Sequence, residues 1–375
     1  MKKIAFINFD MSDTGGSQQV LANMVHAMEA DYEIHVISLI KEREKWAYSF
    51  SEGVFCKTVL PYKARIRETI VKGKKTLVSY LRENEIALVF YVGAYAGLCA
   101  GLMAKKVSCK KVFCDHGALM NQWNELPARL MRIVGSRFSD RTVVLTRQSE
   151  EAYYRKFHYK KGRVTTIYNW VDERILQDAG AYDKTSLKLL TAGRFSHEKG
   201  YDLLVATAEM LQKKLPDIDW EWDIYGQGDM FDQIQKQLAE KRLTGRVHLL
   251  GLTDRMSECY KGHALYVLTS YREGLPLVLI EAKANHLPVV SFDIVSGPVE
   301  IIRDGEDGIL IPPYDIEKMS NAIASLLTDD ALRVRMSENS TGNRDLFLKE
   351  KILDQWNRLI EDLLILPQKT ESADK

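Results

Sequence analysis

Cysteine is scarce in this chain: Cys56, Cys99, Cys109, Cys114 and Cys259 are the only five in 375 residues. They form no CxxC pair and no metal-ligand spacing, which excludes a cysteine-held metal and a small disulfide scaffold. An odd number of isolated thiols fits a reducing compartment, so a cytoplasmic location is expected. No secretory leader is expected either. The opening MKKIAFINF is cut short by Asp10 and Asp13, and no small-residue cleavage site follows. Long apolar runs are missing with one exception, residues 86–104 (IALVFYVGAYAGLCAGLMA), 19 uncharged residues long enough to span a membrane. A lone run inside alternating strands and helices reads better as a buried strand over 87–92, broken at Gly93. A small-residue helix then follows, with Gly93, Gly97 and Gly101 spaced for close packing.

Net charge is nearly absent, 52 Lys plus Arg against 51 Asp plus Glu. With 46% apolar and 27% charged residues, the composition is that of a globular protein and excludes disorder or a collagen-like fibre. The balance hides a split. Residues 1–167 hold 27 basic and 16 acidic side chains, a net of +11, and residues 168–375 hold 25 and 35, a net of −10. A basic first half calls for an anionic partner, membrane surface or nucleic acid. Its cations are dispersed over 63–75, 105–111 and 155–163 with few interleaved aromatics, so nucleic acid is set aside. Within 62–80, Lys63, Arg65, Arg67, Lys72, Lys74 and Lys75 accompany Ile66, Ile70, Val71 and Leu77. That mixture suits a helix lying on anionic lipid, or a solvated helix.

β-branched and aromatic runs alternate with amphipathic stretches throughout. Strands are expected over 3–9, 33–39, 87–92, 111–114 and 141–145, then over 188–192, 221–225, 247–250, 264–268, 288–292 and 308–311. Helical patterns such as 202–215 and 230–241 separate them, which argues for βαβ units and parallel sheets. The series restarts near Leu187. The expectation is an α/β protein of two doubly wound, Rossmann-like domains facing a central cleft: 1–167 on the acceptor side and 168–345 binding the donor. Residues 346–375 are expected to form a helix packing back toward the first domain, then a polar tail. Ligands of such sheets bind beyond the carboxyl ends of the strands.

Four such loops carry candidate chemistry. After the first strand, Thr14-Gly15-Gly16-Ser17 opens a helix, either a plain turn or a backbone approach to an anion or sugar phosphate. The pattern is not GxGxxG, so dinucleotide binding is not supported. After 188–192, Gly193-Arg194-Phe195-Ser196-His197-Glu198-Lys199-Gly200 brings two cations to one loop, suited to a diphosphate. The alternative is a solvated loop in which Glu198 pairs with one of them. Gly226 and Gly228 lie in a second glycine-bearing turn. Glu273-Gly274-Leu275-Pro276 then precedes Glu281 by eight positions. Pro276 suits a first helical turn, with the N–H groups of Gly274 and Leu275 and the helix dipole facing a diphosphate.

At these residues the sequence resembles the retaining glycosyltransferases of family 4, which have the GT-B fold. The matching segments are GRFSHEKG (193–200), YGQGD (225–229), VHLLG (247–251) and EGLPLVLIE (273–281), and IYNWVD (167–172) is similar to the entry into the second domain. The resemblance implies that Arg194 and Lys199 bind the donor diphosphate, Glu273 the donor sugar and Glu281 the ribose. It implies too that Gly15 and Gly16 approach the donor phosphate, and that Gly226, Gly228, Gly251, Gly274, Leu275 and Pro276 line the donor. His116, in Asp115-His116-Gly117, matches the position of an active-site histidine facing the donor sugar. Without that match it reads as a capping or core histidine. His116, Glu273, Arg194 and Lys199 are thus the implied catalytic set. The segment 293–305 resembles bacterial polysaccharide-assembling members, with Gly297 and Pro298 beginning a helix beside the donor and Glu300 structural. Ser17 and Gln18 depart from the acidic residue that many relatives carry after the glycines. Asp217-Ile218-Asp219 reads as a surface turn, and no metal or cofactor is expected.

The implied activity is metal-independent, retaining hexosyl transfer from a nucleoside diphosphate sugar, by resemblance a UDP-sugar. The implied acceptor is a hydroxyl on a lipid-linked or growing surface polysaccharide, such as capsule or exopolysaccharide. The protein would then be cytoplasmic, or peripheral on the inner face of the cell membrane through its basic half. The alternative is a nucleotide-sugar-binding protein without catalysis.

Overall fold

The computed structural model describes residues 1–177, 180–253 and 255–365. The chain forms two compact units, Met1–Ile167 together with the chain from Leu353, and Tyr168–Ile352. The polar tail expected from Gln368 lies outside the described residues.

The first unit is built on β1 (Lys3–Asp10), β2 (Glu33–Ile40), β3 (Phe55–Thr58), β4 (Leu88–Val92), β5 (Lys110–Asp115), β6 (Arg141–Val144) and β7 (Val164–Thr166). They lie all parallel in the order β3-β2-β1-β4-β5-β6-β7. The central strands are continuous apolar runs because a doubly wound sheet is covered on both faces. All of β4 is buried. The apolar run at 86–104 resolves into β4, a break at Gly93 with φ 91°, and the helix Ala94–Met103. Gly97 lets this helix close on the helix Leu126–Arg137, since a Cβ there would stand 2.4 Å from the Phe113 ring and 3.3 Å from Gly135 Cα. No described helix is long and apolar enough to cross a membrane.

The basic stretch forms the helix Ile66–Glu83. Leu77 is fully buried, and Ile66 and Ile70 pack on the core, leaving Val71, 70% exposed, as the outward apolar residue. The apolar face expected to meet lipid is therefore mostly turned inward. The last helix is Lys349–Ile365, and its Trp356 ring meets Phe90 edge-on, centroids 5.8 Å apart.

The second unit is built on β8 (Lys188–Ala192), β9 (Glu221–Tyr225), β10 (Val247–Gly251), β11 (Leu265–Leu268), β12 (Val289–Phe292) and β13 (Gly308–Ile311), in the order β10-β9-β8-β11-β12-β13. Trp220, Trp222, Leu204 and Ile323 are fully buried in its core.

Strand order reverses between β1 and β4 in one sheet and between β8 and β11 in the other, and side chains take over from the backbone at both places. The β1–β4 register runs to Ile7 opposite Tyr91, after which Asn8 Nδ2 donates to Val92 O (3.2 Å). The β8–β11 register runs to Leu190 opposite Tyr266. Beyond it, Thr191 Oγ1 donates to Val267 O (2.7 Å), and the Tyr266 hydroxyl bonds both the N–H and the carbonyl of Ala192, at 3.0 Å each. Such switch points open the crevices in which doubly wound sheets hold ligands.

Candidate active site

In the second unit three loops at the strand carboxyl ends are laced together. Gly193 N–H donates to Tyr225 O (2.9 Å), Phe195 N–H to Gln227 O (2.9 Å) and Gly226 N–H to Gly251 O (2.8 Å). Gly226 has φ 152°, and a Cβ would stand 1.9 Å from Gly193 O, so only glycine permits this approach. Gly228 lies against the Phe195 carbonyl in the same way. Arg194 projects from this platform and is exposed.

The loop after β8 meets the loop after β11. Tyr271 N–H donates to Glu198 O (2.8 Å), and the His197 ring stacks on Tyr271 at 5.0 Å. Gly200, with φ 62°, ends the first loop where a Cβ would stand 2.1 Å from Thr269 O. Lys199 is thereby delivered to Glu273, with Nζ 2.8 Å from Oε1. Ser270 Oγ donates to the same oxygen at 2.6 Å. Glu273, not the neighbouring Glu198, is thus the carboxylate on Lys199.

Pro276 stands at the cap rather than inside the first turn, and the helix is Leu277–Ala284. The N–H groups of Leu277 and Val278 therefore head it, with Gly274 and Leu275 in the loop before. Proline's fixed φ and missing N–H fit the cap equally well, which is why the sequence does not distinguish the two registers. Ser296 Oγ donates to Gly274 O (3.3 Å), and Gly297 with φ 104° lies against Pro276, so the helix Pro298–Ile301 begins beside this site. Glu300 accepts from the Tyr168 hydroxyl (2.8 Å). Glu281 lies one turn into its helix and accepts on Oε2 from the Tyr260 hydroxyl (2.6 Å). Burial holds its carboxyl above the usual range, opposed by the Tyr260 hydrogen bond.

Lys283, two positions on, is 3% exposed and donates to Ile301 O (2.6 Å), Asp307 Oδ2 (2.8 Å) and Asn343 Oδ1 (2.8 Å). It ties the helix carrying Glu281 to the segment after β12. Burial pulls its ammonium below the usual range, and Asp307 pulls it back.

In the first unit, Gly15 caps and Gly16 opens the helix Gly16–Met28 at the carboxyl end of β1. A cavity of about 480 Å³ at the β1/β4 switch point is lined by Asp13, Gln18, Arg43, Gly93 and Tyr95 among others. Gln18 is folded back, its Nε2 donating to Asp10 O (3.1 Å) and its Oε1 accepting from Ser17 Oγ (2.9 Å). His116 follows β5 and is half-buried. Burial lowers its pKa to about 4, against a smaller opposing effect of Asp115, so the imidazole is neutral at pH 7. Beneath it Asp115 accepts on Oδ2 from Arg132 Nε (2.8 Å) and from the Tyr153 hydroxyl (2.8 Å), and on Oδ1 from Gly117 N–H (3.2 Å).

Residues 14–174 match the model of glycosyltransferase family 4, and residues 172–342 match that of the glycosyl transferases group 1. The chain belongs to glycosyltransferase family 4. Its members are retaining and metal-independent, and its two parallel α/β sheets are those of the GT-B fold. An uncharacterized glycosyltransferase of Haemophilus influenzae is 25% identical over 361 residues, covering 96% of this chain and 100% of the relative. A Staphylococcus aureus poly(ribitol-phosphate) alpha-N-acetylglucosaminyltransferase is 33% identical over 197 residues, 52% of this chain but 39% of that longer protein. Among solved structures, Anabaena HepE in complex with UDP-glucose superimposes with a TM-score of 0.78 at 16% identity, over 96% of this chain and 100% of that one.

Reading the residues alone missed Tyr260, Ser270 and Lys283 beside the donor loops of the second unit and, separately, the Arg132 and Tyr153 partners of Asp115 in the first. Tyr260 carried no motif, and Arg132 lies outside every segment singled out in the sequence. Lys283 is the one with a signal, a lysine within the apolar helical run LVLIEAKA.

Proposed function

We propose that this glycosyltransferase moves a hexosyl group, with retention, from a UDP-sugar to a hydroxyl of a lipid-linked or growing surface polysaccharide. The observation that carries the reading is the Lys199–Glu273 pair at the β8/β11 switch point, beside the helix that begins at Leu277. A nucleoside diphosphate meets there a compact cation, a helix N-terminus and the exposed Arg194, which together neutralise the charge that grows on the leaving diphosphate. Glu273 accepts from sugar hydroxyls once Lys199 exchanges it for phosphate. Glu281, held on one oxygen by Tyr260, offers the other to the ribose. Gly226 and Gly228 close the loops on one another beneath the donor, and Gly251, open on its Cβ side, admits the nucleotide to the backbone. The family reading gives Gly15 and Gly16 a phosphate contact and gives neutral His116 a hydrogen bond to the donor sugar.

The acceptor oxygen attacks the anomeric carbon from the face that the diphosphate leaves. The C–O bond to phosphate breaks as the new one forms, and the acceptor proton passes to a diphosphate oxygen. Configuration is retained, and no protein nucleophile is consumed. The acceptor reading is supported by the polymer named for the Staphylococcus aureus relative and by the basic first half, which suits an anionic membrane face in the cytoplasm. No role for nucleic acid is proposed.

The test is UDP release from a panel of UDP-sugars, with the product's anomeric configuration read by NMR. A polymer or lipid-linked acceptor should raise release, and the product should keep the donor configuration. Donor binding without release under any acceptor would identify a nucleotide-sugar-binding protein instead.

A further inference from the structure

The donor loops occupy the carboxyl ends of the second sheet, while nearer its other end lies a polar cluster that sugar transfer does not use. The two-residue period of β9 puts Glu221 and Asp223 on one face, opposite the buried Trp222 and Ile224. Strand β10 sets His248 directly across from Asp223. One ligand atom from each of Glu221, Asp223 and His248 lies within 4.8 Å of the others, and all three side chains are half-buried. His263, 5% exposed and just ahead of β11, places Nε2 3.2 Å from Asp223 Oδ2, and its Nδ1 lies 3.3 Å from Lys261 O. On the far side, Lys188 of β8 puts Nζ 2.6 Å from Glu221 Oε2.

Two carboxylates side by side on a half-buried sheet face repel each other unless a cation joins them. Lys188 answers Glu221 and His263 meets Asp223 from outside, while the imidazole of His248 stands within reach of both carboxylates. We propose that Glu221, Asp223 and His248 bind a divalent ion of the zinc type, with His263 orienting Asp223 from outside. One imidazole with two carboxylates suits zinc better than magnesium, which prefers an all-oxygen shell. Three protein ligands leave a fourth position for water. The hydrogen bond from His263 is the outer support that metal-bound carboxylates usually have. All three ligands come from two paired strands, so the set is held by rigid backbone. The bound ion pins the edge strand β10 to β9. It takes the place of the Lys188 ammonium at Glu221, and the two cations therefore compete.

The experiment is calorimetric titration of zinc chloride into untagged, chelator-stripped, full-length protein at neutral pH, with the exposed thiols alkylated. One ion per chain is expected, with His248→Ala and Glu221→Gln each weakening binding about tenfold or more. Lys188→Met should strengthen it several-fold, a gain that a merely structural lysine would not give. Circular dichroism checks that each variant is folded, and Glu221→Gln serves if His248→Ala is not. Less than a tenth of an equivalent bound, equal affinity for magnesium, or binding unchanged in both ligand variants would overturn the site.

Discussion

The Lys199 ammonium lies 2.8 Å from Glu273 Oε1, joining the loop after β8 to the loop after β11 across the point where strand order reverses. Both side chains keep some access to solvent, at 27% and 9% of their surface. Lys199, the more open of the two, therefore stays within reach of a ligand. Lys199→Ala should lower the rate of transfer by about two orders of magnitude or more, on the scale of a lost charge-stabilising group. Arg194→Ala should do likewise. Thermal melts should stay within a few degrees of the parent. Near-normal turnover in either variant would show that the leaving group sits elsewhere.

Arg132 and Asp115 are both buried and pair at 2.8 Å beneath His116. Arg132→Met removes the cation and strands the carboxylate. The expected cost is about 3–5 kcal/mol, read from urea unfolding. Replacing both, with Asp115→Asn added, should recover part of that loss. A single variant as stable as the parent would show that the pair does not organise this loop.

The pKa of His116 sets a pH window. The folded chain keeps it neutral down to about pH 4, against an ordinary value of 6.5 in the unfolded chain. Between these values the unfolded state binds more protons, so stability falls as the medium is acidified from 6.5 toward 4, by at most about 1.4 kcal/mol per pH unit from this group. His35, also lowered by burial, adds to the same trend. Melting temperatures of the parent and of His116→Gln across this window check it. The variant should show the shallower slope, and parallel slopes would contradict the assignment.

The helix Ile66–Glu83 turns Leu77 inward and keeps Lys72, Lys74 and Lys75 exposed. Any membrane contact it makes is then electrostatic, with each cation near the surface worth about 1 kcal/mol and the attraction screened within a Debye length. Co-sedimentation with vesicles should require anionic lipid and fall steeply with salt. Salt-resistant binding would point to an inserted apolar face in its place.

Much of the fold was readable from sequence where burial on both faces makes strands continuous, as in β4 and β8. It was unreadable at the edges. β3, with the sequence FCKT, is largely exposed, and β7 has three residues, so neither has an apolar pattern to find. The donor loops were readable because backbone approach demands glycine at Gly200 and Gly226 and the helix start carries its proline. Their partners were not. Lys199 meets Glu273 across 74 positions, and Tyr153 meets Asp115 across 38, and no local spacing records such a meeting. Tyr260 sits only 21 positions from Glu281, yet a tyrosine buried beside a carboxylate looks in sequence like any core aromatic.

Calorimetric titration of UDP, free of sugar, into the parent, Glu281→Gln and Glu273→Gln tests the central assignment most directly. Glu281, held by Tyr260 at 2.6 Å, is assigned to the ribose, and Glu273, held by Lys199 and Ser270, to the donor sugar. The account predicts that Glu281→Gln weakens UDP binding by about tenfold, on the scale of one lost hydrogen bond to a charged group. Glu273→Gln should bind UDP as the parent does while losing transfer. Equal losses of UDP affinity in both variants, or none in either, would contradict it.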